Sequence, residues 1–196
     1  GVMLTHRHLI ANALNWLASV PQTENDRTLV MAPMFHAAGS NGILAAIWQG
    51  SLQVPLGTFD PAAVLDLIEK HRINITLGVP SMLAAMAEEQ HANPRDTSSL
   101  QVLTHGGSPI ATEVIRRASS AFPSAQMIEV YGATETSPLA TLLGHEETLM
   151  DNVLARSCGR AVVGCNITVR DAEGNEVPRG DVGEVVVAGT NIMKGY

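Results

Sequence analysis

Apolar and polar positions follow two periods along the chain and switch between them in a regular order. Behind Thr5, a hydroxyl residue suited to a helix N-cap, Leu9, Ala13, Trp16 and Leu17 fall on one helical face. Asn25-Asp26 breaks this pattern, and residues 28–32 form a short apolar run of strand type that stops at Pro33. Residues 37–48 predict a helix of mostly small apolar residues, closed by Gly50. A second strand is predicted over 51–56. Asp60-Pro61 places a cap before proline at the first helical position and opens a helix through Val64, Leu65 and Ile68 to His71. A third strand over 73–79 leads to Pro80 and a helix over 81–89, with Met82, Leu83 and Met86 inward. After a polar loop at 93–99 come a strand over 100–104, a Gly-Gly turn, a helix over 111–122 and a strand over 126–131.

This alternation of short apolar strands with helices predicts an α/β fold, a mostly parallel sheet with helices on both faces. The texture changes near Ser157. Residues 166–170 alternate, Asp171-Ala172-Glu173-Gly174-Asn175 reads as a turn, and 182–188 alternate again, which predicts antiparallel β-structure. The expected organisation is one α/β unit over 1–156 and the start of a β-barrel-like unit over 157–196. There is no internal repeat.

Composition sharpens this picture. Of the 196 residues 45% are apolar, ample for a core and incompatible with a disordered chain. Only 16% are charged, against about 25% in ordinary globular domains, so the surface is poor in charge or partly covered. No apolar run reaches the roughly 18 residues of a membrane span, and no signal-peptide pattern is present. Twelve Lys and Arg against nineteen Asp and Glu leave a net charge of −7, the wrong sign for a non-specific nucleic-acid binder. Cys158 and Cys165 make neither a disulfide framework nor a metal-site spacing, which points to a reducing compartment, the cytoplasm. The chain opens at Gly1-Val2-Met3 and stops at Met193-Lys194-Gly195-Tyr196, directly after a strand-like run, and is expected to be a segment of a longer protein.

In open α/β sheets ligands bind beyond the carboxyl ends of the strands. Three polar, glycine-bearing clusters fall there: Pro33-Met34-Phe35-His36-Ala37-Ala38-Gly39, Thr104-His105-Gly106-Gly107-Ser108-Pro109, and Tyr131-Gly132-Ala133-Thr134-Glu135-Thr136. Taken singly, Gly-Gly-Ser-Pro is an ordinary strand-to-helix turn and His36 an ordinary structural histidine. The third cluster is harder to read as structure alone. It sets a stacking plane, a close backbone approach, a hydroxyl donor and a carboxylate within five residues, the parts of a nucleotide–Mg²⁺ site. There is no G-x-G-x-x-G, Walker A, G-x-S-x-G or zinc spacing.

Together these clusters resemble the adenylate-forming superfamily of acyl-CoA synthetases, peptide-synthetase adenylation domains and luciferases. Tyr131-Gly132-Ala133-Thr134-Glu135 matches Y-G-x-T-E, Phe35-His36-Ala37-Ala38-Gly39 matches F-H-x-x-G, and Gly106-Gly107-Ser108-Pro109 matches G-G-x-P. Gly183-Glu184-Val185 with Met193-Lys194-Gly195-Tyr196 matches G-E-[IV]…M-x-G-Y. The acyl-CoA synthetase branch is nearest. A non-catalytic α/β binding module, or adenylation of the luciferase or peptide-synthetase type, remains the alternative.

The resemblance implies an enzyme that joins a carboxylic acid to ATP with Mg²⁺, releases pyrophosphate, and passes the acyl group to coenzyme A as AMP leaves. It implies that Gly106, Gly107, Ser108, Pro109, Glu129, Val130, Tyr131, Gly132, Ala133 and Thr134 line the nucleotide, with Tyr131 on adenine and Thr134 on the α-phosphate. Glu135 would hold Mg²⁺, and His36 would stand by the acyl carboxylate. An acyl pocket is expected near 37–42, 79–82 and Gly106. The loop after the first strand lacks the aspartate that would pair with an amino-acid substrate's ammonium, which favours a plain carboxylic acid. The family's phosphate loop, ribose-binding aspartate and catalytic lysine would lie outside these residues, so the 196 residues alone are expected to be inactive. Unpartnered strand edges would let them associate or swap as a homo-oligomer.

Overall fold

The computed structural model describes residues 1–149 and 156–196; the part of the expected 1–156 unit from 150 to 155 lies outside the described residues. Local signals start most elements. Thr5 and His8 form a reciprocal capping box that opens α1 (His6–Ser19), with His8 N–H donating to Thr5 Oγ1 at 3.4 Å. His36 caps α2 (Ala37–Gln49), and Gly50 closes it at φ 71°, a conformation glycine adopts without strain. Asp60 accepts from the Ala63 N–H at 2.8 Å and opens α3 (Pro61–His71). α4 (Pro80–Ala92) begins on its proline, and α5 (Thr112–Ala121) follows the Gly-Gly turn.

The strands β1 (Arg27–Val30), β2 (Leu52–Pro55), β3 (Ile75–Gly78), β4 (Val102–Gly106) and β5 (Gln126–Tyr131) pair in parallel in the order β2-β1-β3-β4-β5. Two short antiparallel strands, β6 (Thr141–Leu143) and β7 (Arg160–Ala161), extend that sheet to seven. A short helix, α6 (His145–Leu149), lies between them in the chain. None of these three elements is foreseen by the hydrophobic pattern. Strands of three and two residues carry no period, and they form because the free edge of β5 needs a partner. The fourth strand also runs two residues later than expected, because Gly106 pairs with Val130 at its carboxyl end. β8 (Cys165–Arg170) and β9 (Glu184–Gly189) make a separate antiparallel pair, and the Asp171 carboxylate accepts from the Glu173 and Asn175 N–H groups in the turn between them.

Strand alternation sends successive side chains to opposite faces. On one face Leu29, Met31, Leu103 and Met127 pack under α3, α4 and α5, through Leu65, Ile68, Leu83, Met86 and Ala118. On the other, Ile128 and Val102 meet Trp16 of α1 and Ala45 of α2. The parallel sheet is thus covered on both sides, as the alternating pattern requires. Leu103 is fully buried at the centre of the larger cluster. Leu103→Ala is expected to lower the unfolding free energy in urea by about 2–5 kcal/mol, while truncation of the exposed Met34 to alanine changes it by less than about 0.5 kcal/mol.

Candidate active site

Parallel strands all point their carboxyl ends one way, so the loops after β1, β4 and β5 share one edge of the sheet. The loops after β4 and β5 converge on one cavity of about 660 Å³. Gly107, Ser108 and Pro109 form one wall, and Glu129, Val130, Tyr131 and Gly132 form the other. Ile110, Ala111 and Thr112 continue the first wall, and Arg156 and Cys158 also line the cavity, though sequence patterning gave no hint of the last two. Tyr131 keeps 41% of its surface exposed, so one side of its ring is open to a planar ligand. Glu129 is half-buried, and loss of solvent raises its pKa; burial and the nearby Glu129 charge raise the Cys158 thiol as well.

Close backbone contacts shape this cavity. A β-carbon on Gly106 would fall on the Val130 carbonyl oxygen, and one on Gly132 would fall on the Pro138 carbonyl oxygen. Gly106 is buried at the strand end and does not itself line the cavity. Ala133 and Thr134 lie just beyond the lining, exposed, on and before a 3-10 turn (Thr134–Thr136) that Thr136 steadies through Ala133.

Glu135 is carried on the same turn. Its own backbone N–H and the Tyr196 hydroxyl, at 2.9 Å, hold its pKa below the usual carboxylate range. The group is therefore an ionised acceptor at neutral pH. Among the described residues no three His, Cys, Asp or Glu side chains gather into a metal cage. Mg²⁺ ordinarily takes one or two carboxylates plus phosphate oxygens and water. A single ionised carboxylate beside a nucleotide-sized cavity fits a metal that arrives with phosphate.

Of the residues that hold this turn in place, Met193 and Tyr196 belong to the matched M-x-G-Y run, and Asn191 lies outside the motifs read from sequence. Asn191 is completely buried, and its amide donates to the Thr136 and Leu139 carbonyls at 2.7 and 2.9 Å. Ser137 Oγ donates to the Asn191 carbonyl at 2.7 Å, and the Met193 N–H donates to the Glu135 carbonyl at 2.8 Å. The asparagine inside the strand-to-loop run 189–196 is the only sequence signal for this arrangement.

His36 stands apart from the nucleotide cavity, at the N-cap of α2. Its Nδ1 accepts from the Ala38 N–H at 3.2 Å, which leaves Nε2 as the outward-facing nitrogen of the exposed ring. The small residues Ala38, Gly39 and Gly42 line a second, smaller cavity under α2, whereas the expected contributors at 79–82 and Gly106 do not. Val79, just after β3, is 40% exposed and sits beside Gly107.

The family model described as AMP-binding enzyme matches residues 1–196, and the chain belongs to that family. It is 34% identical over 200 residues to a feruloyl-CoA synthase of an Amycolatopsis species, covering all of this chain and 39% of that protein. The N-terminal domain of FACL13 from Mycobacterium tuberculosis superposes with a TM-score of 0.89 at 27% identity, over 99% of this chain and 48% of that one. The o-succinylbenzoate coenzyme A synthetase of Bacillus subtilis, solved in complex with ATP and magnesium ion, gives 0.89 at 26% identity over 100% and 39%. The chain spans about two fifths of the length of the curated relatives it matches.

Beneath the Gly-Gly turn, His105 is fully buried on the α3–α5 face, in register with Glu129, and neither ring nitrogen meets a hydrogen-bond partner. Burial pushes its pKa from 6.5 down to about 4. Folding then favours the neutral ring. Above pH 6.5 the ring is neutral folded or unfolded; as pH falls from 6.5 to about 4 only the unfolded chain gains the proton, and stability is lost. The loss attributable to this group is roughly 3 kcal/mol across that window. His105→Leu is expected to flatten the pH dependence of unfolding between pH 6.5 and 5; an unchanged slope refutes the assignment.

Proposed function

We propose that the protein carrying this chain is an AMP-forming, ATP-dependent acid–thiol ligase that activates a carboxylic acid and passes it to coenzyme A. The observation that carries this reading is the cavity walled by Gly107-Ser108-Pro109 and Glu129-Val130-Tyr131-Gly132, with Thr134 and the ionised Glu135 next along the chain. In the first step a carboxylate oxygen of the acid attacks the α-phosphorus of ATP and pyrophosphate leaves. In the second the thiol sulfur attacks the acyl carbonyl and AMP leaves.

Each residue then has a defined task. The Tyr131 ring stacks on adenine, and the backbone of 106–109 permits close approach on its other side. The exposed Thr134 hydroxyl donates to the α-phosphate, where negative charge develops. Glu135 holds Mg²⁺, which when bound offsets charge on the phosphates. With Nδ1 spent on the helix cap, His36 presents an Nε2–H that can orient the acid's carboxylate. The loop 33–39 offers no carboxylate to an ammonium, which supports a plain acid over an amino acid. No helix among the described residues is long and apolar enough to cross a membrane, and the thiol state of both cysteines accords with a cytoplasmic setting.

The test is ATP–pyrophosphate exchange by the complete protein. Exchange is expected only when a carboxylic acid is present, and exchange that ignores the acid overturns the reading. Glu135→Ala is expected to slow acid-dependent exchange by on the order of 10²-fold or more and to alter its Mg²⁺ dependence. Unchanged kinetics remove Glu135 from metal binding.

A further inference from the structure

The run after β9 returns to Glu135 twice. Its Met193 N–H donates to the Glu135 main-chain carbonyl at 2.8 Å, and a few positions later the Tyr196 hydroxyl donates to Oε1 of the Glu135 carboxylate at 2.9 Å. Between these two contacts the run is tied to the start of the chain. The Lys194 N–H donates to the Met3 carbonyl at 3.0 Å, and the Met3 N–H donates to the Gly195 carbonyl at 2.9 Å. Gly195, directly before the tyrosine, takes a φ of 149°, a backbone conformation that suits glycine. Backbone bonds alone therefore hold the main chain as far as Gly195.

The Tyr196 hydroxyl is thus not what anchors the run, and its residue, 76% exposed, buries little against the rest of the molecule. What the hydroxyl orders is the carboxylate. Glu135 is itself exposed, and a long side chain on a surface turn samples several rotamers unless its end is held. The chemistry of the donor matters here. The ion pairs among the described residues do not include Glu135, so no lysine or arginine cancels its charge. A phenol hydroxyl is neutral, so it orients the carboxylate and leaves the negative charge in place for a cation. A carboxylate accepts at about four lone-pair sites, and one O–H occupies only one of them.

We propose that Tyr196 is a positioning residue for the divalent cation: its hydroxyl sets the Glu135 carboxylate in the orientation that receives the metal arriving with the nucleotide's phosphates. Carboxylates that bind metals are commonly oriented by a hydrogen bond of their own, and loss of that partner costs about 10- to 100-fold in metal affinity. Tyr196 acts through Glu135 and not on the reacting groups. This assignment rests on the reading of Glu135 as the metal carboxylate, and it deepens that reading by naming the side chain that orients it.

The experiment uses the complete protein without a carboxylic acid, so that ATP binds and is not consumed. Mn²⁺ is titrated in place of Mg²⁺, with protein in excess over ATP so that little free nucleotide competes, and free Mn²⁺ is read from its electron paramagnetic resonance signal. ATP affinity without metal is measured separately by calorimetry in EDTA. Tyr196→Phe, which keeps the ring and deletes the hydroxyl, is expected to raise the Mn²⁺ Kd about tenfold, while the metal-free Kd for ATP moves by less than about twofold. Tyr196→Leu is a second variant without the hydroxyl and is expected to do the same. In a Glu135→Gln background, where the Mn²⁺ site is already weakened, Tyr196→Phe is expected to add nothing. An Mn²⁺ Kd that neither variant moves overturns the proposal. Equal weakening of Mn²⁺ and metal-free ATP binding also overturns it, since that marks a residue that only supports the loop, and so does an effect of Tyr196→Phe that persists in full beside Glu135→Gln. Unweakened Mn²⁺ binding by Glu135→Gln alone sinks the metal reading of Glu135, and this proposal with it.

Discussion

The loop after β5 can present Thr134 and Glu135 only because its inward carbonyls find donors within the protein. Asn191 meets this constraint. Its buried amide serves both the Thr136 and the Leu139 carbonyls, and its own carbonyl receives Ser137 Oγ. A buried carbonyl left unpaired costs about 1–3 kcal/mol, so a loop of this shape without the asparagine would have two such costs to bear. The same network continues across the molecule. Asn12 Oδ1 accepts from the Leu139 N–H, and its amide donates to Asn41 Oδ1 on α2 at 2.6 Å. One chain of buried amides therefore ties the loop bearing the acidic residue to both helices that cover the seam between β1 and β3.

Two spaces with different chemistry sit against one sheet. The larger opens at the ends of β4 and β5 and mixes an aromatic ring, exposed backbone and a half-buried carboxyl. The smaller follows β1 beneath α2, and its mainly apolar lining also carries the uncharged polar residues Gln22, Thr28, Asn41, Thr76 and Thr104. His36 lines neither; it caps α2 at the residue that leaves the loop after β1. One imidazole nitrogen holds the helix, and the exposed ring keeps the other free of that duty. The net charge of −7 does not by itself exclude anion binding, since backbone N–H groups and a hydroxyl can build such a site.

Much of the architecture is legible without coordinates. The helical periods, the caps at Thr5, Asp60 and Gly50, and the apolar strand runs place α1 to α5 and β1 to β5 to within a few residues. Those are local signals, carried by neighbours a few positions apart. The glycines at 106, 107 and 132 are legible too: at 106 and 132 a neighbouring carbonyl leaves no room for a side chain, and at 107 the backbone takes a φ of 81°. β6, β7 and α6 are not legible, since a two- or three-residue strand has no period and exists only through its partner.

The order of elements, the three glycine-bearing loops and the acidic residue after Tyr131 were determined by the sequence itself, through spacing and residue type. Which of those residues share one wall was decided only by the fold. The register of β4 on β5 sets His105 beside Glu129 and brings Pro109 to face Tyr131, across 22 positions of chain. The pairing of Asn191 with Thr136, and of Tyr196 with Glu135, spans more than 50. No periodicity reports contacts at such separations. They follow from the parallel order of the strands and from the rule that every buried polar group must meet a partner, which the chain satisfies only once it is folded.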